Sequence, residues 1–209
     1  MNSSLAFKVA VPTVAVPSVA GASYLAFFKQ DEIKDSLKAL IEKEGKRIVL
    51  EDYSNSHDNI WDEIAKEYKT SSITVEGVSK TNPDKAQVKE YCKNTSSLTD
   101  EKLLDTYRTL CSRGKLIDQI NEDLKSEKKA WLTSTNKADW TANKTAYGSN
   151  GGANLLIPQT GQGSTTISKE QISEEKLMEW CSSVSFRPFV NKTHTDYTVS
   201  KHNCTKSNA

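Results

Sequence analysis

The residues of this chain best suited to chemistry are its cysteines and histidines. It has four cysteines and three histidines, namely Cys92, Cys111, Cys181, Cys204, His57, His194 and His202. A cysteine paired with a histidine can act as a nucleophile, and three or four such residues together can bind zinc. No Cys-x-x-Cys pair occurs, however, and the spacing of His194, His202 and Cys204 relative to Cys181 fits no zinc motif. We therefore predict no metal site and interpret the histidines as residues of exposed polar loops.

The cysteine positions favour a structural role over catalysis. They recur at corresponding places in the two halves of the chain, whereas the histidines do not. The segment Gly161–Thr165 (GQGST) has the glycines of a phosphate-binding loop, but no lysine follows them and no predicted strand precedes them. The sequence therefore predicts no catalytic, cofactor-binding or metal-binding residue.

Composition argues against nucleic-acid partners. Among 209 residues, 28 are Lys or Arg and 27 are Asp or Glu, so the net charge is +1. Such a balance creates no electrostatic field that would attract nucleic acid. The modest hydrophobic content of 36% predicts a thin core built from amphipathic helices.

The N-terminal segment has the length of a membrane span. Residues 9–28 (VAVPTVAVPSVAGASYLAFF) carry no charge between Lys8 and Lys29, although they include Pro12 and Pro17. Twenty helical residues would span about 30 Å, the thickness of a bilayer core. We interpret residues 1–30 as an uncleaved signal-anchor that attaches the chain to a membrane.

Two other interpretations of this segment remain open. Val19–Ala22 provide small residues for signal-peptide cleavage, or the segment could be a disordered apolar tail. Lys8 precedes the span, while Asp31 and Glu32 follow it, which favours a short N-terminus inside the cell and an extracellular C-terminal part.

Helical spacing of apolar residues predicts a mainly α fold beyond the anchor. We predict helices over residues 31–44, from Asn59, from an Asn82-Pro83-Asp84 start, from Thr99 to Gly114, over 115–129, over 140–147 and after a capping box at Ser168. Short strands are expected only near 47–51 and 73–78. A Gly/Ser-rich segment, 148–167, is predicted to be a flexible loop.

The chain contains an internal repeat. Trp61 and Tyr68 have the same spacing as Trp140 and Tyr147. An aromatic-cysteine pair follows in each half, Tyr91-Cys92 and then Trp180-Cys181, and Tyr107 with Cys111 matches Tyr197 with Cys204. We interpret these as two similar helical modules, 31–114 and 115–209. Trp61 and Trp140 should then occupy equivalent core positions beside the helices that carry Cys92 and Cys181.

The predicted helices also bear on disulfide pairing. Helices starting at Pro83 and Asp100 and joined by a short loop should pack antiparallel, which places Cys92 near the loop and Cys111 at the far end. Their separation would be about 15–18 Å along the axis. A disulfide needs Cα atoms within about 7 Å, so we predict no Cys92–Cys111 bond.

The N-terminal GASYL sequence (Gly21–Leu25), the EYC triplet (90–92) and the EWC triplet (179–181) together resemble the large paralogous families of uncharacterised proteins of haemotropic mycoplasmas. The resemblance implies membrane attachment, exposure to the host and a role in antigenic diversity, without assigned catalytic residues or cofactors.

Three hypotheses of function follow. The favoured one is a non-enzymatic, membrane-anchored surface protein that meets a host protein or antibody. The second is a membrane-tethered enzyme, such as a hydrolase, with an unidentified site. The third is an inward-facing structural tether. Surface proteolysis of intact cells separates the first from the third, while the second requires a pocket with clustered titratable groups.

Overall fold

The computed structural model describes residues 34–149, 155–159 and 165–207. Lys34–Ala209 forms one compact unit. Its described residues are mainly helical, which confirms the predicted fold class at that level. The predicted anchor, 9–28, lies outside the described residues, and within them no helix has the length and apolarity needed to cross a membrane.

Eight α-helices and four three-residue strands occur in the described ranges: α1 (Leu37–Glu44), β1 (Arg47–Val49), α2 (Asp58–Thr70), α3 (Lys85–Thr95), α4 (Leu104–Cys111), β2 (Ser112–Gly114), α5 (Leu116–Leu124), β3 (Lys129–Trp131), α6 (Thr141–Ala146), α7 (Glu174–Ser185), α8 (Thr195–Asn203) and β4 (Thr205–Ser207). We call 34–114 the first half and 115–207 the second half. Each half runs through helix, strand, tryptophan-bearing helical segment, cysteine-bearing helix, helix and strand.

The first and last strands of each half pair with each other. Strand β1 is antiparallel to β2, with Val49 opposite Ser112, and β3 is antiparallel to β4, with Trp131 opposite Thr205. In each half, the residue after the first strand extends the hydrogen-bonded ladder. The Leu50 N–H donates to the Cys111 carbonyl, and the Leu132 N–H donates to the Cys204 carbonyl. Each half is therefore closed by its own two-stranded ribbon.

The strand predicted near 73–78 is not present. Val78 is buried there and Ile73 and Val75 are partly buried, but side chains instead of a neighbouring strand satisfy backbone groups of the segment. The Val75 N–H donates to the Tyr68 hydroxyl (3.2 Å), and the Lys80 ammonium donates to the Ile73 carbonyl (2.8 Å). The segment is a loop held by Tyr68 and Lys80.

Helix starts differ from the predicted ones by a few residues. Helix α1 begins after Ser36, whose hydroxyl accepts the Ala39 N–H. In α3 the N-cap is Asp84 instead of Asn82, and Gln87 completes a capping box, so Pro83 precedes the helix. The predicted helix from Thr99 starts with a 3₁₀ turn and becomes α-helical only at Leu104.

The described residues bury two hydrophobic clusters that follow the two halves. One is made of residues between 37 and 111 together with Val190, and the other of residues between 116 and 204. Trp61 and Trp140 are buried at 0% and 1% exposure. Each indole N–H donates to a backbone carbonyl of the preceding turn, at Asp52 (3.2 Å) and Ser134 (2.9 Å). Helix α3 contacts α2, and α7 contacts the turn that contains Trp140.

The prediction that Cys92 and Cys111 are not bonded is wrong. They form a disulfide with Cα atoms 5.4 Å apart, and Cys181 and Cys204 form a second one with Cα atoms 5.6 Å apart. The predicted hairpin assumed a tight loop after α3. Residues 96–103 instead run past the start of α1, where the Leu37 N–H donates to the Leu98 carbonyl. Helix α4 therefore starts later and brings its C-terminal end beside α3.

Lys115 joins the two halves, and a segment of the second half returns to the first. The Leu116 N–H donates to the Arg187 carbonyl, and the Phe189 N–H donates to the Gly114 carbonyl, both at 2.9 Å. Val190, which follows, is buried in the first-half cluster. The two halves are therefore connected by a backbone hydrogen bond as well as by the covalent chain at Lys115.

Candidate functional site

The cysteines and histidines do not form a reactive centre within the described residues. No free thiol exists there, because all four cysteines are in disulfides. No group of three His, Cys, Asp or Glu side chains is arranged to hold a metal ion in the described ranges. Of the segment Gly161–Thr165, considered as a phosphate loop, residues 161–164 lie outside the described ranges.

The histidines have separate local contacts. His194 is the N-cap of α8, with its Nδ1 accepting the Asp196 N–H, and its Nε2 lies 2.9 Å from the Asn59 amide nitrogen of the first half. His57 ends a 3₁₀ turn, and its Nδ1 is buried without a hydrogen-bond partner. His202 lies in α8. His194 therefore helps to start a helix and to join the halves.

A tyrosine hydroxyl holds a loop in each half. In the first half the Tyr68 hydroxyl accepts the Val75 N–H and donates to the Val78 carbonyl, both at 3.2 Å. In the second half the Tyr147 hydroxyl accepts the Ile157 N–H (2.8 Å) and donates to the Ile167 carbonyl (2.7 Å). Burial raises the pKa of Tyr147, which keeps the donor proton in place.

A groove separates this loop from the cysteine-bearing helix in the first half. Its volume is about 570 Å³. The loop contributes Val75, Glu76 and Gly77, while α3 and the start of α4 contribute the opposite wall. The side chains from α3 are those of Gln87, Glu90, Tyr91, Asn94 and Thr95.

The second half has a groove in the same place, with a volume of about 450 Å³. Pro158 and Gln159 line it from the loop that follows Ile157, and Ile167 completes that side. Helix α7 provides the opposite wall through Lys176, Glu179, Trp180 and Ser183.

The helix positions that line the two grooves coincide when they are counted from the cysteine. In α3 they are Gln87, Glu90, Tyr91 and Asn94 relative to Cys92, and in α7 they are Lys176, Glu179, Trp180 and Ser183 relative to Cys181. The loop positions also correspond, since Glu76 and Pro158 each follow the residue whose N–H binds the tyrosine hydroxyl. The groove therefore recurs with the local architecture of each half, although the loops differ in length and sequence.

The two grooves differ in charge. The first has two carboxylates, Glu76 and Glu90, and no lysine, arginine or histidine among its lining residues. Neither carboxylate forms an ion pair within the described part of the chain. The second has Glu179 together with Lys176, so its lining is neutral.

Tyr91, on the helix that lines the first groove, has a hydroxyl group that is unpaired within the described part of the chain. The oxygen is buried, and it has no hydrogen-bond partner in the described residues. Burial raises the pKa of Tyr91, so the group stays neutral and keeps its proton. With an apolar wall, two carboxylates and no cysteine or histidine among its lining residues, the first groove is suited to non-covalent binding.

The sequence contains a signal for these grooves. The triplets EYC and EWC place a glutamate and an aromatic residue directly before each cysteine, and these residues line the grooves. No family model, no curated protein and no solved structure matches this chain.

Proposed function

We propose that this chain is a non-enzymatic, membrane-anchored surface protein whose exported part meets host molecules. The observation that carries the proposal is the pairing of all four cysteines as disulfides, one in each half. Structural disulfides persist in oxidising surroundings outside the cytosol and are rare inside it. A chain with every cysteine paired is best suited to the outer side of a membrane.

The N-terminal sequence supports attachment to that membrane. Residues 9–28 are uncharged and long enough to cross a bilayer, with aromatic residues Tyr24, Phe27 and Phe28 at the C-terminal end where an interfacial anchor lies. The likeness of GASYL, EYC and EWC to the proteins of haemotropic mycoplasmas points in the same direction.

We also propose that 31–114 and 115–209 are two copies of one ancestral module. The order of elements, the ribbon register, the tyrosine-held loops and the disulfide positions all support this relation. A module that buries a small core gains from a disulfide, because small exported domains often need one to remain folded.

Surface proteolysis of intact cells tests the location. Cells that express the full chain are treated with protease, and the part beyond residue 30 is followed by immunoblot. Its loss from intact cells supports the proposal, provided that a cytosolic marker protein survives. Its survival in intact cells and loss only after permeabilisation would refute an external location.

A second experiment tests the anchor separately. The full chain and a version that begins at Gln30 are expressed, and the membrane and soluble fractions are separated by high-speed centrifugation. We expect the full chain in the membrane fraction and the shortened chain in the soluble fraction. If both versions stay soluble, residues 9–28 do not anchor the protein.

A further inference from the structure

The first-half groove combines an apolar wall with unpaired negative charge. Val75 and Leu103 are partly buried hydrophobic residues that line it, and the Tyr91 side chain lies beside them. Glu76 and Glu90 are exposed carboxylates without a cationic partner in the described residues. An apolar surface next to a carboxylate suits a long side chain that ends in a cation, because its methylene groups can be buried while its charge is paired.

Additional polar groups of the groove are available for a ligand. The Gln87 side-chain oxygen accepts the Ser79 N–H, and its amide nitrogen makes no hydrogen bond within the described ranges. The Asn94 side chain is exposed and similarly unbonded there. Amide groups of this kind bind the peptide backbone, since each offers both a donor and an acceptor.

We propose that the first-half groove binds a lysine or arginine side chain of an extended peptide segment in a partner protein, with Glu90 pairing the cation. The volume of about 570 Å³ accommodates such a side chain together with its backbone. This proposal rests on the proposed function for the view that the chain meets partner proteins, and it adds the chemistry of the partner.

The second-half groove provides a matched comparison. It has the same position and the same glutamate before an aromatic-cysteine pair, but Lys176 replaces Gln87 and Pro158 replaces Glu76. The Lys176 ammonium, which donates to the Gln171 carbonyl (2.8 Å) in the same groove, opposes the approach of another cation. Binding of a basic peptide is therefore confined to the first groove.

The test is a titration of the purified full chain in detergent with the peptide acetyl-Gly-Arg-Gly-amide, followed by NMR at low salt. We expect saturable shifts of α3 amides that weaken as salt is added. Acetyl-Gly-citrulline-Gly-amide, which has the same shape without the charge, should bind at least about fivefold more weakly. E90Q should weaken the arginine peptide by a similar factor, whereas E179Q should leave its affinity unchanged.

Several results would overturn the proposal. They are the absence of saturable binding by the arginine peptide, equal binding of the citrulline peptide, or equal effects of E90Q and E179Q. Free n-butylguanidine, which has the same single charge as the peptide, serves as a further arm, because binding as strong as that of the peptide would identify a small organic cation as the ligand instead of a protein segment. Failure of this test leaves the surface location untouched, since that location is measured by proteolysis of cells.

Discussion

Single hydroxyl groups hold the loops of both halves. Tyr68→Phe removes the partner of the Val75 N–H and the Val78 carbonyl, and Tyr147→Phe does the same for Ile157 and Ile167. Buried polar groups left unpaired cost about 1–3 kcal/mol, so we expect each variant to lose stability by that amount in urea unfolding.

Tyr107→Phe is the matched control for these two variants. The Tyr107 hydroxyl is buried and has no hydrogen-bond partner among the described residues, and the side chain is 0% exposed. Its removal should be neutral or stabilising, because a desolvated hydroxyl is lost without breaking a bond. If all three variants lost the same free energy of unfolding, the surroundings of the aromatic ring, and not the hydrogen bonds to the loop, would determine the loss of stability.

The hydrogen bonds of Asp123 predict that the second half is sensitive to acid. Burial opposes its ionisation, but hydrogen bonds from Tyr197 (2.7 Å), Lys192 (2.9 Å) and Gln119 (3.1 Å) outweigh this and lower the pKa of Asp123. A carboxyl with a lowered folded-state pKa stabilises the protein above its unfolded-state pKa, and this stability is lost as the pH falls through the folded-state value.

We therefore expect Asp123→Asn to reduce the free energy of unfolding at neutral pH and to flatten its decline below about pH 4. Urea unfolding across a pH series measures this effect. Asp118→Asn is the control, because Asp118 is exposed on the same helix. Identical acid dependence in the wild-type protein and the Asp123 variant would contradict the role assigned to these hydrogen bonds.

Trp61 and Trp140 are the largest fully buried side chains of the described residues. Replacing a buried tryptophan by alanine costs about 3–5 kcal/mol, so we expect comparable, large losses of stability in Trp61→Ala and Trp140→Ala. Phe186→Ala serves as the control, since Phe186 is 65% exposed. One silent and one severe tryptophan variant would argue against equivalent positions.

At the level of elements, one disulfide joins α3 to α4 in the first half, and the other joins α7 to the C-cap of α8 in the second half. The bonded cysteines are 19 residues apart in the first half and 23 apart in the second. Loops of such similar length give similar entropic stabilisation, about 3 kcal/mol each. We expect Cys92→Ser/Cys111→Ser and Cys181→Ser/Cys204→Ser to lower the free energy of unfolding by similar amounts, as measured in guanidinium.

Peptide mapping of the unreduced wild-type protein provides the accompanying check. It should yield two cross-linked peptide pairs, Cys92 with Cys111 and Cys181 with Cys204, and no other pairing. A cross-link between the halves would show that the connectivity described above is not the one formed in solution.

The helices could be predicted because their apolar residues recur on one face, as in α2 and α5. Strand β1 could be predicted too, since Arg47–Val49 lies within the expected stretch 47–51. The other three strands could not, because three residues contain too little alternation to recognise, and β2 is the polar sequence Ser-Arg-Gly. The segment 73–78 resembles a strand because its apolar and polar residues weakly alternate, but contacts from the side chains of Tyr68 and Lys80 determine its backbone.

The candidate site was less accessible to prediction from sequence. The EYC and EWC triplets marked the correct helices, but a groove depends on how a loop lies against a helix. In both halves that placement is set by a tyrosine hydroxyl from a third element, Tyr68 or Tyr147. The Cys92–Cys111 pairing was missed for a related reason, because the path of residues 96–103 depends on contacts with α1.

At the scale of the whole molecule, Val190 connects the second half to the first-half core. Val190→Ala removes buried methyl groups and should cost about 2 kcal/mol. We expect hydrogen exchange to show lower protection of amides in α2 and α3, although residue 190 belongs to the other half. Val184→Ala, in the second-half core, should affect α5 and α7 first. Unchanged protection of α2 and α3 in the Val190 variant would show that the halves unfold independently.

Apart from Val190, each buried cluster comes from its own stretch of sequence, and the four residues between the stretches end at Lys115. A genetic crossover at that codon would transfer a nearly complete core, its disulfide and its groove in a single event. Two related genes could thus exchange halves while most buried contacts are kept, because those contacts are made within one half. A new pairing of halves would have to match Val190, its flanking backbone and the side-chain contacts of His194 with Asn59 and of Asn191 with Glu63.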